Sequence, residues 1–377
     1  MKDHISCSAF VSLVLLLAAF AFFSCQTEDD LDAVNLSNWG DGASISLAPD
    51  GSANISFEDM NSGVLLFANY TGDKWTIETA SPSVTTGAPT IIATLSSGEP
   101  VIAFSDYVVV DDIGKGNLLY ATRNGDEWTV EEVETKGDVW LSSFSLAFDA
   151  EERPHLCYWE RESKSLIHCE KTTAGWDKEV IFSNQDYYDD GGWINISTSI
   201  VIDSNDVVHV FHTDYYQISY ATNIEGNWNQ EIVSETGWIN GRISAAVDSN
   251  DDLHVAYAQN DEGDSTDCFI RYLTNNSGNW VETKIAPTCS NTSITVDAVG
   301  KAHLAFGGAY EGGVQYATNV SGSWEVTAVD SGGYVDSNRA IALNKDGIVH
   351  IAYPHYGPQT LRTATNASGE WVIAEFE

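Results

Sequence analysis

Seven copies of one unit, each closing on a tryptophan, and no helical pattern beyond the first 25 residues predict an all-β chain folded as a seven-bladed β-propeller of four-stranded antiparallel blades. The tryptophans are Trp75, Trp128, Trp176, Trp228, Trp280, Trp324 and Trp371, at intervals of 53, 48, 52, 52, 44 and 47 residues. Residues 26–377 number 352, and a seventh of that is about 50, the length of a four-stranded blade. One such sheet cannot bury both of its faces, so the units must stack around an axis.

Ahead of each tryptophan lies a strand signature such as Tyr220-Ala221-Thr222-Asn223 or Tyr316-Ala317-Thr318-Asn319. An earlier signature keeps step with it: Asp203 to His209-Val210-Phe211, Asp248 to His254-Val255-Ala256-Tyr257, and Asp297 to His303-Leu304-Ala305-Phe306. Asp149 to His155 and Asn344 to His350 continue it, whereas blades one and two carry Asn54 and Val101 in the histidine position. In blade six the strands are expected at 293–296, 302–306, 314–318 and 324–329, joined by Gly/Asn/Asp/Ser turns. The chain then begins on an innermost strand (45–47) and ends on an outermost one (371–376), so the ring closes by packing unless 33–36 adds a strand.

The N-terminus reads as an address. Lys2 precedes an apolar run from Ala9 to Phe23 that is short for a membrane span and has the layout of a secretory signal peptide, residues 1–24. Phe22-Phe23-Ser24-Cys25 resembles the bacterial lipobox, which implies a lipidated Cys25 and an outer-membrane or cell-surface location. Gln26-Thr27-Glu28-Asp29-Asp30 resembles the acidic stretch behind that cysteine in surface lipoproteins of the Bacteroidetes, so 25–38 is assigned as a tether and 39–377 as the propeller.

Lys+Arg total 17 against Asp+Glu 55, a net charge of −38, which excludes a nucleic-acid backbone as the main partner. The unit resembles the repeat of secreted bacterial and archaeal propellers and, more distantly, the Asp-box (BNR) sialidase-like group. The Asp-box pattern is displaced by one in Asn319-Val320-Ser321-Gly322-Ser323-Trp324, so the likeness implies fold more than chemistry. A sialidase needs three arginines to clamp its substrate carboxylate. Arg161, Arg242 and Arg339 fall on the loop-rich side, while Arg123 and Arg153 fall in turns on the opposite face.

A residue repeated in every blade serves packing, so function is expected where the chain departs from its repeat, on the face carrying the longer loops. Aromatics gather there: Trp159, Tyr187, Tyr188, Tyr215, Tyr216, Tyr310 and Tyr356, with Trp140, Trp193, Trp238 and Tyr334 just before innermost strands. Indole and phenol faces suit the apolar faces of sugar rings. His212 and His355 are off-pattern on the same side and are candidates for general acid or base. Asp189-Asp190-Gly191-Gly192 could offer oxygen ligands to Ca²⁺, but no cofactor is required by any motif. Four cysteines remain for pairing in an oxidising compartment, and Cys157–Cys169 and Cys268–Cys289 are the expected bridges.

The reading that follows is a lipid-anchored propeller that binds a glycan without catalysis. The alternatives are a glycoside hydrolase or polysaccharide lyase working in the axial funnel, and a protein-interaction scaffold of the envelope.

Overall fold

The computed structural model describes residues 42–376 except 60–61, 72–73, 84–88, 111–112, 135–138, 161, 185–195, 214–215, 236, 261–266, 309–312, 333–339 and 356–359, with backbone alone at 107–110, 113–115, 139–143 and 225. Cys25, the signal peptide and the tether lie outside the described residues.

Among the described residues twenty-eight strands form seven four-stranded antiparallel sheets, each built from four consecutive strands. The blades span 44–81, 90–134, 139–183, 198–234, 239–286, 292–330 and 340–375. In blade six the strands are Thr292–Val296, Ala302–Gly307, Val314–Thr318 and Glu325–Asp330, within a residue of the spacing-based expectation. Burial runs in a gradient. Second strands such as Val208–Thr213 are buried on both faces, and fourth strands such as Val281–Ala286 are largely exposed. Stacking explains this, because a blade has a neighbour on each side but only water beyond its outer edge.

The core is therefore divided among the crevices between blades. Ile55 and Phe57 of blade one, for example, pack with Ala352 and Leu361 of blade seven. Five of the repeated tryptophans dock on an aromatic of the preceding blade, Trp128 on Phe67, Trp176 on Tyr120, Trp280 on Tyr220, Trp324 on Tyr272 and Trp371 on Tyr316, with ring centroids 4.9 to 5.4 Å apart and edge-to-face.

Innermost strands have one sheet edge without a strand partner, and serine hydroxyls cover it. Ser44 accepts the Ile92 N–H (3.2 Å), Ser199 that of Ala245 (2.9 Å), Ser244 that of Ile294 (3.2 Å) and Ser293 that of Ile341 (3.3 Å). Among the described residues the ring closes by side-chain packing: blade seven's four strands are consecutive, and Phe376 rests on Trp75 (4.2 Å) and Phe57 (6.1 Å) of blade one, while 33–36 lies outside them.

Of the two expected disulfides, Cys268–Cys289 is formed, with Cα atoms 5.4 Å apart. Cys157–Cys169 is not. Cys157 pairs with His168 and Leu156 with Cys169, so the two thiols are one register step apart and face opposite sides of the sheet. One packs toward blade four and the other toward blade two. Burial raises the Cys169 thiol to about 12 and Cys157 also well upward, leaving two inert core thiols.

Candidate functional site

The repeated Asp and His form a scaffold unit. In blade four Asp203 Oδ1 accepts the N–H groups of Asn205 and Val207, which holds the first turn. Its Oδ2 meets His209 Nε2 (3.3 Å), and His209 Nδ1 meets the Tyr220 hydroxyl (2.6 Å). Blade five repeats this with Asp248, His254 and Tyr272, and blade six with Asp297, His303 and Tyr316. These imidazoles fill the crevice toward the next blade, and burial pushes each of them below its ordinary value.

Blade one lacks every member of that unit. Ala48 stands in the aspartate position, Asn54 in the histidine position and Phe67 in the tyrosine position. Three shorter or hydroxyl-free side chains leave a cavity of about 400 Å³ between blades one and two, and Asn54, Phe67, Asn69, Glu78 and Arg123 are in its wall. Asn69 Nδ2 donates to Asn54 Oδ1 (2.7 Å), and Asn54 Nδ2 donates to Thr94 Oγ1 (2.9 Å). Arg123 donates through Nε (2.7 Å) and Nη2 (3.3 Å) to the two oxygens of Glu78, and its guanidinium lies 5.9 Å from the Phe67 ring centre. Trp128 Nε1 donates to the same Glu78 (2.8 Å) and so fixes the carboxylate.

Arg123 is itself a departure. Its position holds Asn223, Asn275, Asn319 and Asn366 in other blades, where the amide oxygen accepts the first N–H of the second strand. The cavity thus collects four departures from the repeat, yet it lies on the face opposite the longer loops, where no ligand site was expected. In the sequence its mark is the degeneracy of blade one at Asn54, which becomes a cavity only when blades one and two are stacked.

On the loop-rich face, Trp238 is 45 % exposed and meets Tyr216, 59 % exposed, edge-to-face at 5.8 Å. Trp159, expected as a binding platform, is instead 1 % exposed and packs among Leu166, Ile196 and Val210. His212 and His355, expected as acid or base, are also interior. His212 is held by burial down at about 4, stacks on Phe182 at 5.0 Å and meets the Gln230 amide at 2.7 Å, inside the crevice between blades three and four. His355 is 8 % exposed at the end of Val349–His355. Neither is open to a substrate as an accessible acid or base must be.

Arg242 is half-buried, its backbone N–H bound to Asn291. Trp140 lies on the first strand of blade three, where the backbone alone is described. Arg161, Tyr187, Tyr188, Asp189–Gly192, Trp193, Tyr215, Tyr310, Tyr334, Arg339 and Tyr356 lie outside the described residues.

No protein-family model and no curated protein matches the sequence. Solved structures do match in fold. An ulvan lyase of polysaccharide lyase family PL25, bound to a GlcA–Rha3S repeat, aligns at TM-score 0.58 and 12 % identity over 84 % of this chain and 91 % of its own. AofleA from Arthrobotrys oligospora aligns at 0.51 and 11 % identity over 79 % and 88 %. A point mutant of the Aleuria aurantia lectin, in complex with α-methyl-L-fucoside, aligns at 0.51 and 14 % identity over 90 % and 94 %. At these identities the likeness is one of fold.

Proposed function

We propose that the protein binds glycans and seats one uncharged sugar ring in the cavity between blades one and two. The observation that carries this is the convergence of Ala48, Asn54, Phe67 and Arg123 on one crevice, each replacing a residue that fills or braces the corresponding crevice elsewhere. A cavity of about 400 Å³ suits a monosaccharide. Two amides, a carboxylate and a guanidinium held by mutual hydrogen bonds offer donors and acceptors to vicinal hydroxyls without first ordering themselves. The Arg123 charge is already matched by Glu78, and the chain carries −38 overall, so a neutral ring fits better than a uronate or sulfated sugar. A lectin carrying a fucoside and a lyase carrying a sulfated disaccharide share the fold, which supports carbohydrate as the ligand class.

The test is a glycan array on the soluble domain, repeated with Arg123→Ala and with Asn54→His, which refills the crevice in the manner of blades four to six. Binding of neutral glycans that both substitutions abolish is the expected result. Binding that neither substitution alters would overturn this site, and no binding at all would favour the envelope scaffold. Assays for new reducing ends and for unsaturated uronates, run alongside, read the enzymatic alternative. The reading also has the protein act at the cell surface through a lipidated Cys25, which Cys25→Ala should release to the soluble fraction.

A further inference from the structure

We propose that blade three carries a zinc site formed by Asp149, His155 and Glu170, independent of the glycan cavity. The three ligand atoms lie within 4.8 Å of one another, with the Asp149 and His155 side chains almost wholly buried. Blade three departs from the Asp–His–Tyr unit at two places. His168 takes the tyrosine position, and Glu170 takes the position of Thr222, Thr274 and Thr318.

The first departure reverses the hydrogen-bond direction. In blades four to six the tyrosine hydroxyl donates to His Nδ1, so Nε2 keeps its hydrogen and points it at the aspartate, at 3.3 Å in blade four and at 3.5 and 3.8 Å in blades five and six. In blade three the chain ends on Glu179, whose carboxylate accepts from His168 Nδ1 (2.9 Å). His168 Nε2 is then the acceptor for His155 Nδ1–H (3.0 Å). With both rings neutral, the lone pair of His155 Nε2 would face Asp149 Oδ2, 3.3 Å away, so this edge calls for a cation between the two atoms, a proton or a metal ion. That separation matches the edge of a zinc tetrahedron, about 3.4 Å for bonds of about 2.0–2.1 Å. The His168–Glu179 relay is the outer support that a metal-bound imidazole commonly has.

The second departure adds the third ligand. Without an ion, Arg153 bridges Asp149 (2.6 Å) and Glu170 (2.5 Å) and reaches Glu151 at 3.7 Å. Its side chain is 48 % exposed and can swing into water. A divalent ion carries the same two charges as this guanidinium plus the one proton that the paired rings otherwise share, so the exchange leaves the local charge unchanged. Mixed imidazole and carboxylate ligands favour zinc over calcium or magnesium.

Zinc titration of the intact protein by calorimetry, with Co²⁺ absorption as the readout of tetrahedral geometry, tests this. Glu170→Thr and His168→Tyr install what blades four to six carry at the same positions, so the ring should fold, which a melting curve checks. Each should weaken zinc binding by about tenfold or more, and Arg153→Ala should strengthen it several-fold. No saturable one-to-one binding in either wild type or Arg153→Ala would overturn the site. So would equal zinc affinity in Glu170→Thr and wild type, since that would assign the metal to the acidic surface.

Discussion

Three residues beyond the repeated histidine, six blades place a buried aromatic: Phe57, Phe104, Tyr158, Tyr257, Phe306 and Tyr353. Blade four places His212 there, its Nδ1 without a hydrogen-bond partner among the described residues. Burial lowers this ring from about 6.5 to about 4, so the unfolded chain binds its proton first as pH falls. The sign follows: the contribution to stability is complete above about pH 6.5 and is lost on acidification toward pH 4, about 3 kcal/mol in all. His212→Phe, which restores the repeat, should leave the melting temperature near pH 7.5 little changed and raise it relative to wild type at pH 5. Equal acid sensitivity of the two proteins would refute the assignment. That His212 departs from its neighbours is legible in sequence, but its direction is not. Alternation along Val208–Thr213 puts it on the blade-three side with Val210, and only the stacked blade there makes that side dry. Arg123 was hidden for the converse reason, since a turn position looks solvated until the adjoining crevice proves to be hollow.

At the scale of strands, the repeat was almost fully readable, because the His-x-Ala-Tyr and Tyr-Ala-Thr signatures alternate with the pleat and the Asp and Gly turns punctuate them. Register was harder. The Cys157–Cys169 expectation failed by one residue, and six blades shift register between third and fourth strands, as at Ile218/Ser219 and Val314/Gln315, a bulge with no compositional mark. Ring closure was legible only as the lack of a spare strand. Among the described residues Phe376 bridges blades seven and one, and Phe376→Ala should cost about 3–4 kcal/mol by chemical denaturation, as for other buried aromatics. Ser244→Ala tests the serine stitching in the same way. It strands the Ile294 N–H at a cost of about 1 kcal/mol, whereas a serine on an outer strand, such as Ser183, should cost little.

For the whole molecule, the number of blades was fixed by counting, whereas the candidate site emerged only when unlike residues from separate stretches met across one crevice. Net charge acts at this scale too. With 17 basic against 55 acidic residues, most carboxylates lack a cationic partner, and holding them on one compact ring is opposed by self-repulsion that the expanded chain relieves. Against this stand a few local pairs, among them Arg271–Glu282, Arg362–Asp330 and Lys178–Glu134. The two effects have opposite salt dependence. Raising NaCl from about 0.01 M to about 1 M shortens the screening length from about 30 Å to about 3 Å, which weakens long-range repulsion while close, half-buried pairs are less affected. The melting temperature should therefore rise with NaCl, and affinity for a neutral glycan should stay level because no net charge is exchanged on binding. A melting temperature that falls with salt would mean the local pairs govern stability. An affinity that falls with salt would mean that the ligand is charged, and the Glu78–Arg123 pair would then have to open to receive it.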